Sequence, residues 1–241
     1  MSIPHTEQEF KIYALNEQAV TLVFGHEIHG TTASKISNFG RLLNSKPFMG
    51  FTNSVPAYTT LSIFYDVLRV MKSDLPGENG FDKVSNYLKS LKSNNQNDVS
   101  DASKLITLPV YYGGEYGPDL EEVSGITNFS IEELINLHCA ATYKVYMIGF
   151  VPGFAYLGGM DERLASPRKL KPRAAVPAGS VGIAGKQTGV YPLETPGGWQ
   201  IIGQTPLKMF DANRPQPSLL KAGDEVKFQS LSLQEFNDLR R

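Results

Sequence analysis

Glycine and proline are concentrated in one stretch of this chain, and that stretch limits the possible folds more than any other feature. The 58 residues from Gly149 to Pro206 hold 11 glycines and 7 prolines, about half of those in the whole sequence. Collagen requires a strict three-residue glycine period, which is missing here. A disordered linker would lack the Val, Ile, Phe and Tyr residues that this stretch contains. We therefore predict a β-region dense in turns, and we expect the functional site to lie there.

The bulk composition is that of an ordinary globular protein. Hydrophobic residues make up 41% and charged residues 20% of the 241 residues. The formal net charge of −1 provides no basic field for nucleic acid or an anionic membrane. One cysteine excludes an internal disulfide framework and a cysteine-rich zinc site. The first residues lack a signal-peptide pattern and no apolar run reaches the ~18 residues of a membrane span, so we expect a cytoplasmic protein.

Residues 1–95 are predicted to form an α+β domain with the element order ββαββα. Alternating apolar residues predict two strand pairs, and apolar residues at helical spacing predict two helices. A small sheet with helices on one face accommodates this order. The predicted elements are strands Phe10–Leu15 and Ala19–Phe24, helix His29–Leu43, strands 50–55 and 58–66, and helix Phe81–Leu91.

Residues 104–241 are predicted to form a second, mostly-β domain after a polar linker at 92–103. A strand begins at Lys104, and one helix is predicted from Ser130 to Ala141, opened by the capping box of Ser130 and Glu133. Six short strands separated by turn residues follow that helix. Many short strands with one helix are typical of a closed or nearly closed β-barrel.

Two motifs near Ser180 each lack a required residue of a catalytic signature. Residues 180–187 resemble a phosphate loop, but Ser180 replaces its first glycine and Gln187 replaces the hydroxyl that binds Mg²⁺. Residues 178–182 resemble a nucleophile elbow with Ala178 in place of the first glycine. Both signatures need a helix directly afterwards, and the residues that follow here are typical of strands. We interpret both motifs as turns.

His138 has two possible roles. It lies beside Cys139 on the predicted helix, where adjacent residues point about 100° apart and cannot form a catalytic pair with each other. Cys139 is interpreted as a small buried hydrophobe. His138 is either a hydrogen-bonded structural residue or a pocket residue able to transfer protons near neutral pH. His26 and His29 are spaced one residue too closely for the H-E-x-x-H pattern, so no metal ligand is predicted.

The arginine loop, residues 161–173, concentrates positive charge. It is either a solvated loop or a binding site for a carboxylate or phosphate, which guanidinium groups bind through two parallel hydrogen bonds. Pro167 and Pro172 stiffen the loop and lower the entropy cost of holding its cations. If the loop binds an anion, Arg173→Ala is expected to weaken activity much more than Lys169→Ala. The five cations are Arg163, Arg168, Lys169, Lys171 and Arg173.

Two turns, 187–192 and 195–200, combine glycine with polar and aromatic side chains. Glycine permits close approach of a ligand to the backbone, and Gln187, Thr188 and Tyr191 offer oriented hydrogen bonds. Trp199 is the single tryptophan. It either closes one end of the barrel or forms the floor of a pocket.

The run from Ile148 to Pro206, extended upstream by His138-x-x-x-x-Tyr143, resembles one family along nearly its whole length. This is the family of the B subunit of bacterial 5-oxoprolinase, also described as allophanate hydrolase subunit 1 or the sporulation-kinase inhibitor KipI. The resemblance implies a ferredoxin-like N-terminal domain followed by a cyclophilin-like β-barrel. It also implies ATP-dependent cleavage of 5-oxoproline to glutamate together with subunits C and A, by a chain that is inactive in isolation.

Under this resemblance, ATP and Mg²⁺ are expected at the level of the complex, with no metal assigned to this chain. Arg168 and Arg173 are expected to bind a phosphate or the substrate carboxylate. Gln187, Thr188 and Tyr191 are expected to orient the ring amide, with Trp199 beside them, and His138 is the candidate for proton transfer.

Two alternatives within the family remain open at this point. One is a regulator that binds a sensor histidine kinase without turnover. The other is a component of an allophanate hydrolase. The second is less favoured, because such proteins tend to be fused to or encoded beside a biotin carboxylase and this sequence contains none.

Overall fold

The chain divides into two structural units, Met1–Ser100 and Asp101–Arg241, in a computed structural model that describes residues 10–27, 30–91 and 104–240. The predicted linker at 92–103 and the predicted helix start at His29 lie outside the described residues, and so does part of the His26–His29 motif. Among the described helices, none combines the length and the apolar character needed to cross a membrane.

The first unit is built on a four-stranded antiparallel sheet. Its elements are β1 (Lys11–Asn16), β2 (Ala19–Val23), α1 (Gly30–Ser45), β3 (Phe51–Pro56), β4 (Thr60–Tyr65), α2 (Val67–Met71) and α3 (Gly80–Ser90). The strands lie in the spatial order β1-β2-β4-β3. Val20 lies opposite Ile63 and Leu22 opposite Leu61, so alternate residues build one apolar face. This face packs against apolar residues of α1 and α3, among them Ile36, Leu43, Val84 and Leu88.

Helix α2 lies just beyond the point where the sequence predicts the end of a strand. The Asp66 side chain accepts hydrogen bonds from the backbone nitrogens of Leu68 and Arg69, and such an N-cap starts a helix. Five helical residues are too few to show a periodic pattern in the sequence. The element order is therefore ββαββαα, with one helix more than predicted.

The second unit contains a closed barrel of seven strands, which confirms the predicted barrel. Its elements are β5 (Leu105–Tyr112), α4 (Leu120–Thr127), α5 (Ile131–Ala140), β6 (Thr142–Ile148), β7 (Ala155–Gly158), β8 (Arg173–Val176), β9 (Ser180–Ala184), β10 (Gln187–Val190), β11 (Thr195–Gly197), β12 (Gln200–Gln204), β13 (Glu225–Ser230) and α6 (Leu233–Leu239). The barrel order is β10-β7-β6-β13-β5-β12-β9, and β9 pairs with β10 to close it. Only the β5–β13 pair is parallel among these neighbours.

Strands β8 and β11 form a separate two-stranded ribbon. One of the six short strands predicted after the helix covers residues 174–180, but Pro177 and Gly179 divide it into the end of β8, a turn and the start of β9. Gly179 has a φ of 84°, a backbone conformation that other residues rarely adopt. This turn separates the ribbon that carries Arg173 from the barrel.

The second unit has three α-helices among its described residues, where the sequence predicts one. Helix α5 begins with the predicted capping box of Ser130 and Glu133. Helix α6 begins with an equivalent box, Ser232 and Glu235, so the same sequence pattern could have identified it. Helix α4 has no side-chain hydrogen bond at its N-cap, although Asp119 and Glu122 have the three-residue spacing of a capping box.

Candidate functional site

An ion-pair cluster centred on Asp119 holds the arginine loop against the barrel. Asp119 directly precedes α4, and only 2% of its surface is exposed. Its Oδ1 accepts hydrogen bonds from Nη2 of Arg173 at 2.6 Å and from Nζ of Lys169 at 3.0 Å. Its Oδ2 accepts one from the backbone nitrogen of Ile201 at 2.7 Å. One carboxylate therefore fixes the start of β8, the loop before it and the barrel strand β12.

Glu122, on the first turn of α4, extends this network. Its Oε2 lies 2.6 Å from Nζ of Lys169, and its Oε1 accepts a hydrogen bond from Nε2 of Gln200 at 3.1 Å. Two buried atoms of the network have no hydrogen-bond partner among the described residues: Nη1 of Arg173 and Oε1 of Gln200. The network therefore retains one donor and one acceptor without a partner in the described part of the chain, which is uncommon for buried groups.

The hydrogen bonds in this cluster stabilise the charged forms of its members. Burial alone would raise the pKa of Asp119, but hydrogen bonds from Arg173, Ile201 and Lys169 together hold it below its ordinary value of 3.8. Hydrogen bonds to Glu122 and Asp119 raise the pKa of Lys169. The cluster is therefore a set of true ion pairs at neutral pH.

The cations of the arginine loop do not act as one group. Arg163 binds Asp161, two residues away, with 2.6 Å between Nη2 and Oδ2. Arg168 and Lys171 have exposed side chains. Lys169 and Arg173 are the two cations of the loop that contact Asp119. The loop is therefore partly solvated and partly held in a defined geometry.

Tyr191 and Trp199 lie in a small aromatic cluster that is separate from the main barrel core. The ring of Phe154 has its centroid 5.4 Å from that of each of them, edge-on in both cases. Exposed fractions are 1% for Tyr191 and 6% for Trp199. This close packing favours the role of Trp199 as a buried closing residue over that of an open pocket floor.

The arginine loop is hydrogen-bonded to the residue that precedes Trp199. The backbone nitrogen of Lys169 donates to the carbonyl oxygen of Gly198 at 2.8 Å. Burial raises the pKa of Tyr191, and the positive charges of Arg168 and Arg173 oppose that rise. The structure therefore brings four of the predicted site residues into one region: Arg168, Arg173, Tyr191 and Trp199.

His138 and Thr188 lie together inside the barrel, and neither side chain is exposed. Oγ1 of Thr188 donates its proton to the carbonyl oxygen of Gly182 at 3.0 Å, so Nε2 of His138 is the donor in the 2.9 Å contact with Oγ1. The Tyr112 hydroxyl then donates to Nδ1 of His138 at 2.8 Å. Both ring nitrogens are satisfied, which favours the structural role for His138. Gln187, at the start of β10, is half-buried.

The stability of the second unit is expected to depend on pH through His138. Burial lowers the pKa of His138 from 6.5 to about 3. Below pH 6.5 the unfolded chain binds a proton that the folded protein excludes, so stability falls as pH decreases toward 3. The slope attributable to this group is about 1.4 kcal/mol per pH unit. Urea unfolding of the wild type and of His138→Gln at pH 7.5, 6 and 5 measures it. Parallel pH profiles would contradict the assignment of a neutral, buried histidine.

Arg173 also lines a cleft of about 370 Å³. Arg240, which follows α6, lies on the same cleft, and its Nη1 donates to the Tyr116 hydroxyl at 3.3 Å. The Arg240 guanidinium lies 5.4 Å from the ring centroid of Phe236. A cleft of this volume is in the range of small-molecule sites. We call it the arginine cleft; its polar lining residues are Glu115, Tyr116, Arg173, Ser180, Gln204 and Arg240.

The residues near Ser180 form neither of the two catalytic signatures that they resemble. Ser180 begins β9, and β9 leads through Gly185 directly into β10, with no helix at this point. A phosphate loop and a nucleophile elbow both require that helix. In the described part of the chain, no group of three His, Cys, Asp or Glu side chains is placed to hold a metal ion.

Asp119, Glu122, Gln200 and Arg240 are site residues that sequence reasoning did not identify. The only local signal is the Pro118-Asp119 pair before an acidic helix start. The contacts themselves join residues far apart in the chain. Asp119 binds Lys169, Arg173 and Ile201 across 50, 54 and 82 positions. No periodicity or short motif reports contacts of that range.

Comparison with known proteins places the sequence among close relatives. Residues 10–220 match the family described as "Carboxyltransferase domain, subdomain C and D". The chain is 44% identical over 229 residues to a protein of Bacillus subtilis named as the B subunit of 5-oxoprolinase, covering 95% of each. It is 55% identical over 131 residues to the protein of the same name from Haemophilus influenzae, covering 54% of this chain and 62% of that one.

A solved structure, that of the protein TTHA0988, superimposes with a TM-score of 0.76 at 33% sequence identity. The match covers 89% of this chain. The chain spans only 40% of the length of TTHA0988, so that protein carries a large additional part.

Proposed function

This chain belongs to the family of 5-oxoprolinase B subunits, and we propose that it is the B subunit of an enzyme that cleaves 5-oxo-L-proline to L-glutamate together with subunits A and C. The observation that carries the proposal is the 44% identity to the Bacillus subtilis protein over 95% of both chains. Because the aligned residues run through both structural units, the likeness is not confined to one module. We also propose that the isolated chain is inactive and acts in the cytoplasm.

In this proposal, ATP and Mg²⁺ belong to the complex and are not bound by this chain alone. Two observations on the described residues support that assignment. The sequence nearest to a phosphate loop forms the β9–β10 hairpin, and no group of three potential metal ligands is present in the described part of the chain. These residues therefore do not fit a nucleotide–metal site.

The names of the two folds are part of the same proposal. The four-stranded antiparallel sheet with helices on one face supports a ferredoxin-like description of the first domain, residues 1–95. The closed seven-stranded barrel supports a cyclophilin-like description of the second domain, residues 104–241. A barrel of this shape does not by itself imply prolyl isomerase activity, because function depends on the site.

For the substrate, we propose that Arg173 binds the carboxylate, whereas the roles expected of Arg168, Tyr191 and Trp199 beside it stay predictions. The guanidinium group supplies charge-assisted hydrogen bonds, which are about twice as strong as neutral ones. Asp119 positions Arg173 for this role through the 2.6 Å contact. Two further roles stay predictions: Gln187 and Thr188 orient the ring amide, and His138 transfers a proton. The kcat of His138→Gln tests the proton-transfer role.

Reconstitution tests the function directly. The chain, purified and mixed with subunits A and C, is expected to release glutamate from 5-oxoproline only when ATP is present. Each component is omitted in turn as a control. A mixture that is fully active without this chain would refute the proposal. If the chain were dispensable and instead lowered the autophosphorylation of a sensor histidine kinase, the regulatory function would be favoured.

Within the reconstituted enzyme, Arg173→Ala is expected to lower kcat/KM about 10- to 150-fold, as the loss of a charge-assisted hydrogen bond worth ~1.5–3 kcal/mol requires. Lys169→Ala is expected to change it less than about 5-fold, because it leaves the Arg173–Asp119 pair in place and truncated surface ion pairs cost little. Trp199 fluorescence confirms that both variants are folded. If neither variant changes kcat/KM, the arginine loop is a solvated loop that binds no anion.

A further inference from the structure

We propose that the arginine cleft is a binding site for a small, singly charged carboxylate, with Arg240 as its second cation. The cleft holds about 370 Å³ and has two guanidinium groups on its lining, from the start of β8 and from the residue after α6. The proposal makes the C-terminal helix part of the site. It relies on the proposed function only for naming 5-oxo-L-proline as one of the carboxylates.

Both guanidinium groups are held in place before a ligand binds. Arg173 is oriented by Asp119, whose other oxygen is fixed by the backbone of Ile201. Arg240 donates to the Tyr116 hydroxyl and lies over the rings of Tyr116 and Phe236, at 5.7 and 5.4 Å from their centroids. Such ordering reduces the entropy lost on binding.

Hydrogen-bonding capacity remains on Arg173. Its Nη2 is used by Asp119, whereas its buried Nη1 has no acceptor in the described part of the chain. Buried donors in native proteins are nearly always paired, so this one has capacity for an acceptor that is not among the described residues. A carboxylate oxygen at the Arg173 end of the cleft would supply that acceptor.

The charge of the lining selects the ligand class. The charged residues on the cleft lining are Arg173, Arg240 and Glu115, and Asp119 pairs with Arg173 from outside the lining. The low net charge around the two guanidinium groups suits a monoanion such as a carboxylate better than a doubly charged phosphate. Glu115 is expected to oppose binding of any anion, so its neutralisation should strengthen binding.

Isothermal titration of the full chain tests the cleft with four probes: 5-oxo-L-proline, cyclopentanecarboxylate, 2-pyrrolidinone and inorganic phosphate. Both carboxylates are expected to bind, because both carry the recognised group. The neutral lactam 2-pyrrolidinone and phosphate are expected to bind at least 10-fold more weakly. Binding of 2-pyrrolidinone as tight as that of the carboxylates, tighter binding of phosphate, or no carboxylate binding would each overturn the proposal.

Three variants locate the binding. Arg240→Gln is expected to weaken binding of cyclopentanecarboxylate at least 5-fold, and Glu115→Gln to strengthen it about 2- to 5-fold. Arg214→Gln removes the same charge from a residue that does not line the cleft and is expected to leave binding unchanged. Equal affinities for Arg240→Gln and Arg214→Gln would overturn the site. If the reconstituted enzyme is active but Arg240→Gln and Arg214→Gln bind the carboxylate equally well, only the proposed cleft is refuted. If the cleft binds carboxylates but reconstitution fails, only the proposed enzyme function is refuted.

Discussion

Asp119→Ala is expected to lower the free energy of unfolding of the second unit by about 3 kcal/mol. The substitution removes one buried carboxylate and leaves two donors without their acceptor, Nη2 of Arg173 and the backbone nitrogen of Ile201, while Nζ of Lys169 keeps only Glu122. Breaking a buried pair costs more than the pair contributes, because the remaining charge stays desolvated. Urea denaturation followed by fluorescence measures the loss. Trp199 is the single tryptophan and lies in the second unit, so its signal reports on that unit.

Glu122→Gln is the matched control for Asp119→Ala. Glu122 contacts the same lysine, but 48% of its side chain is exposed, and its loss is expected to cost under ~1 kcal/mol. The effect of Asp119→Ala should also depend on pH. The pKa of Asp119 is lowered in the folded protein, so its contribution is complete above the unfolded value of 3.8 and disappears as pH falls through the folded value. A difference between wild type and variant that persisted unchanged at pH 2 would contradict this ion-pair explanation.

Gly117→Ala is expected to destabilise the second unit by about 2–4 kcal/mol, because no space exists for a methyl group. A Cβ at this position would overlap the carbonyl oxygen of Ile202 and lie 2.5 Å from the backbone nitrogen of Gly113. Both neighbours belong to the backbone, so either β12 or the turn after β5 must move. The same displacement would shift Asp119, two residues further along. Chemical denaturation gives the stability loss, and carboxylate titration reports the effect on the arginine cleft.

Gly125→Ala, eight residues further along the chain, is expected to have the opposite effect on stability. Gly125 lies on α4, is exposed, and a Cβ there would meet nothing within 4 Å. Alanine is favoured over glycine within a helix, so this variant is expected to gain about 0.5–1 kcal/mol. Similar stability changes for Gly117→Ala and Gly125→Ala would show that the close approach at Gly117 does not constrain the backbone.

Sequence reasoning succeeded where the information is local. The capping box at Ser130 predicts the start of α5, and the turns within 149–206 predict a barrel of short strands. It failed where an element is short or its signal is indirect. Helix α2 has only five residues, and α4 begins at an N-cap whose carboxylate is used by the arginine loop instead of the helix.

The candidate site was only partly predictable, for a related reason. Residue type alone made Arg173 a candidate, since guanidinium groups bind anions. Its partner Asp119 lies 54 positions away, and Arg240 joins the same cleft from the far end of the chain. Whether His138 faces a pocket or the core depends on the packing of strands that pair across the barrel. Its contacts with Tyr112 and Thr188 could not be read from its own helix.

The glycine and proline content of residues 149–206, the alternation of apolar residues and the helix caps are properties of the sequence itself. They determined that this chain forms short strands, tight turns and two kinds of domain, because each depends on backbone conformation within a few residues. The tertiary structure decided which charges meet, which histidine is buried and where a cleft opens. Those outcomes depend on closure of the barrel, which brings α4, the arginine loop and β12 around one carboxylate.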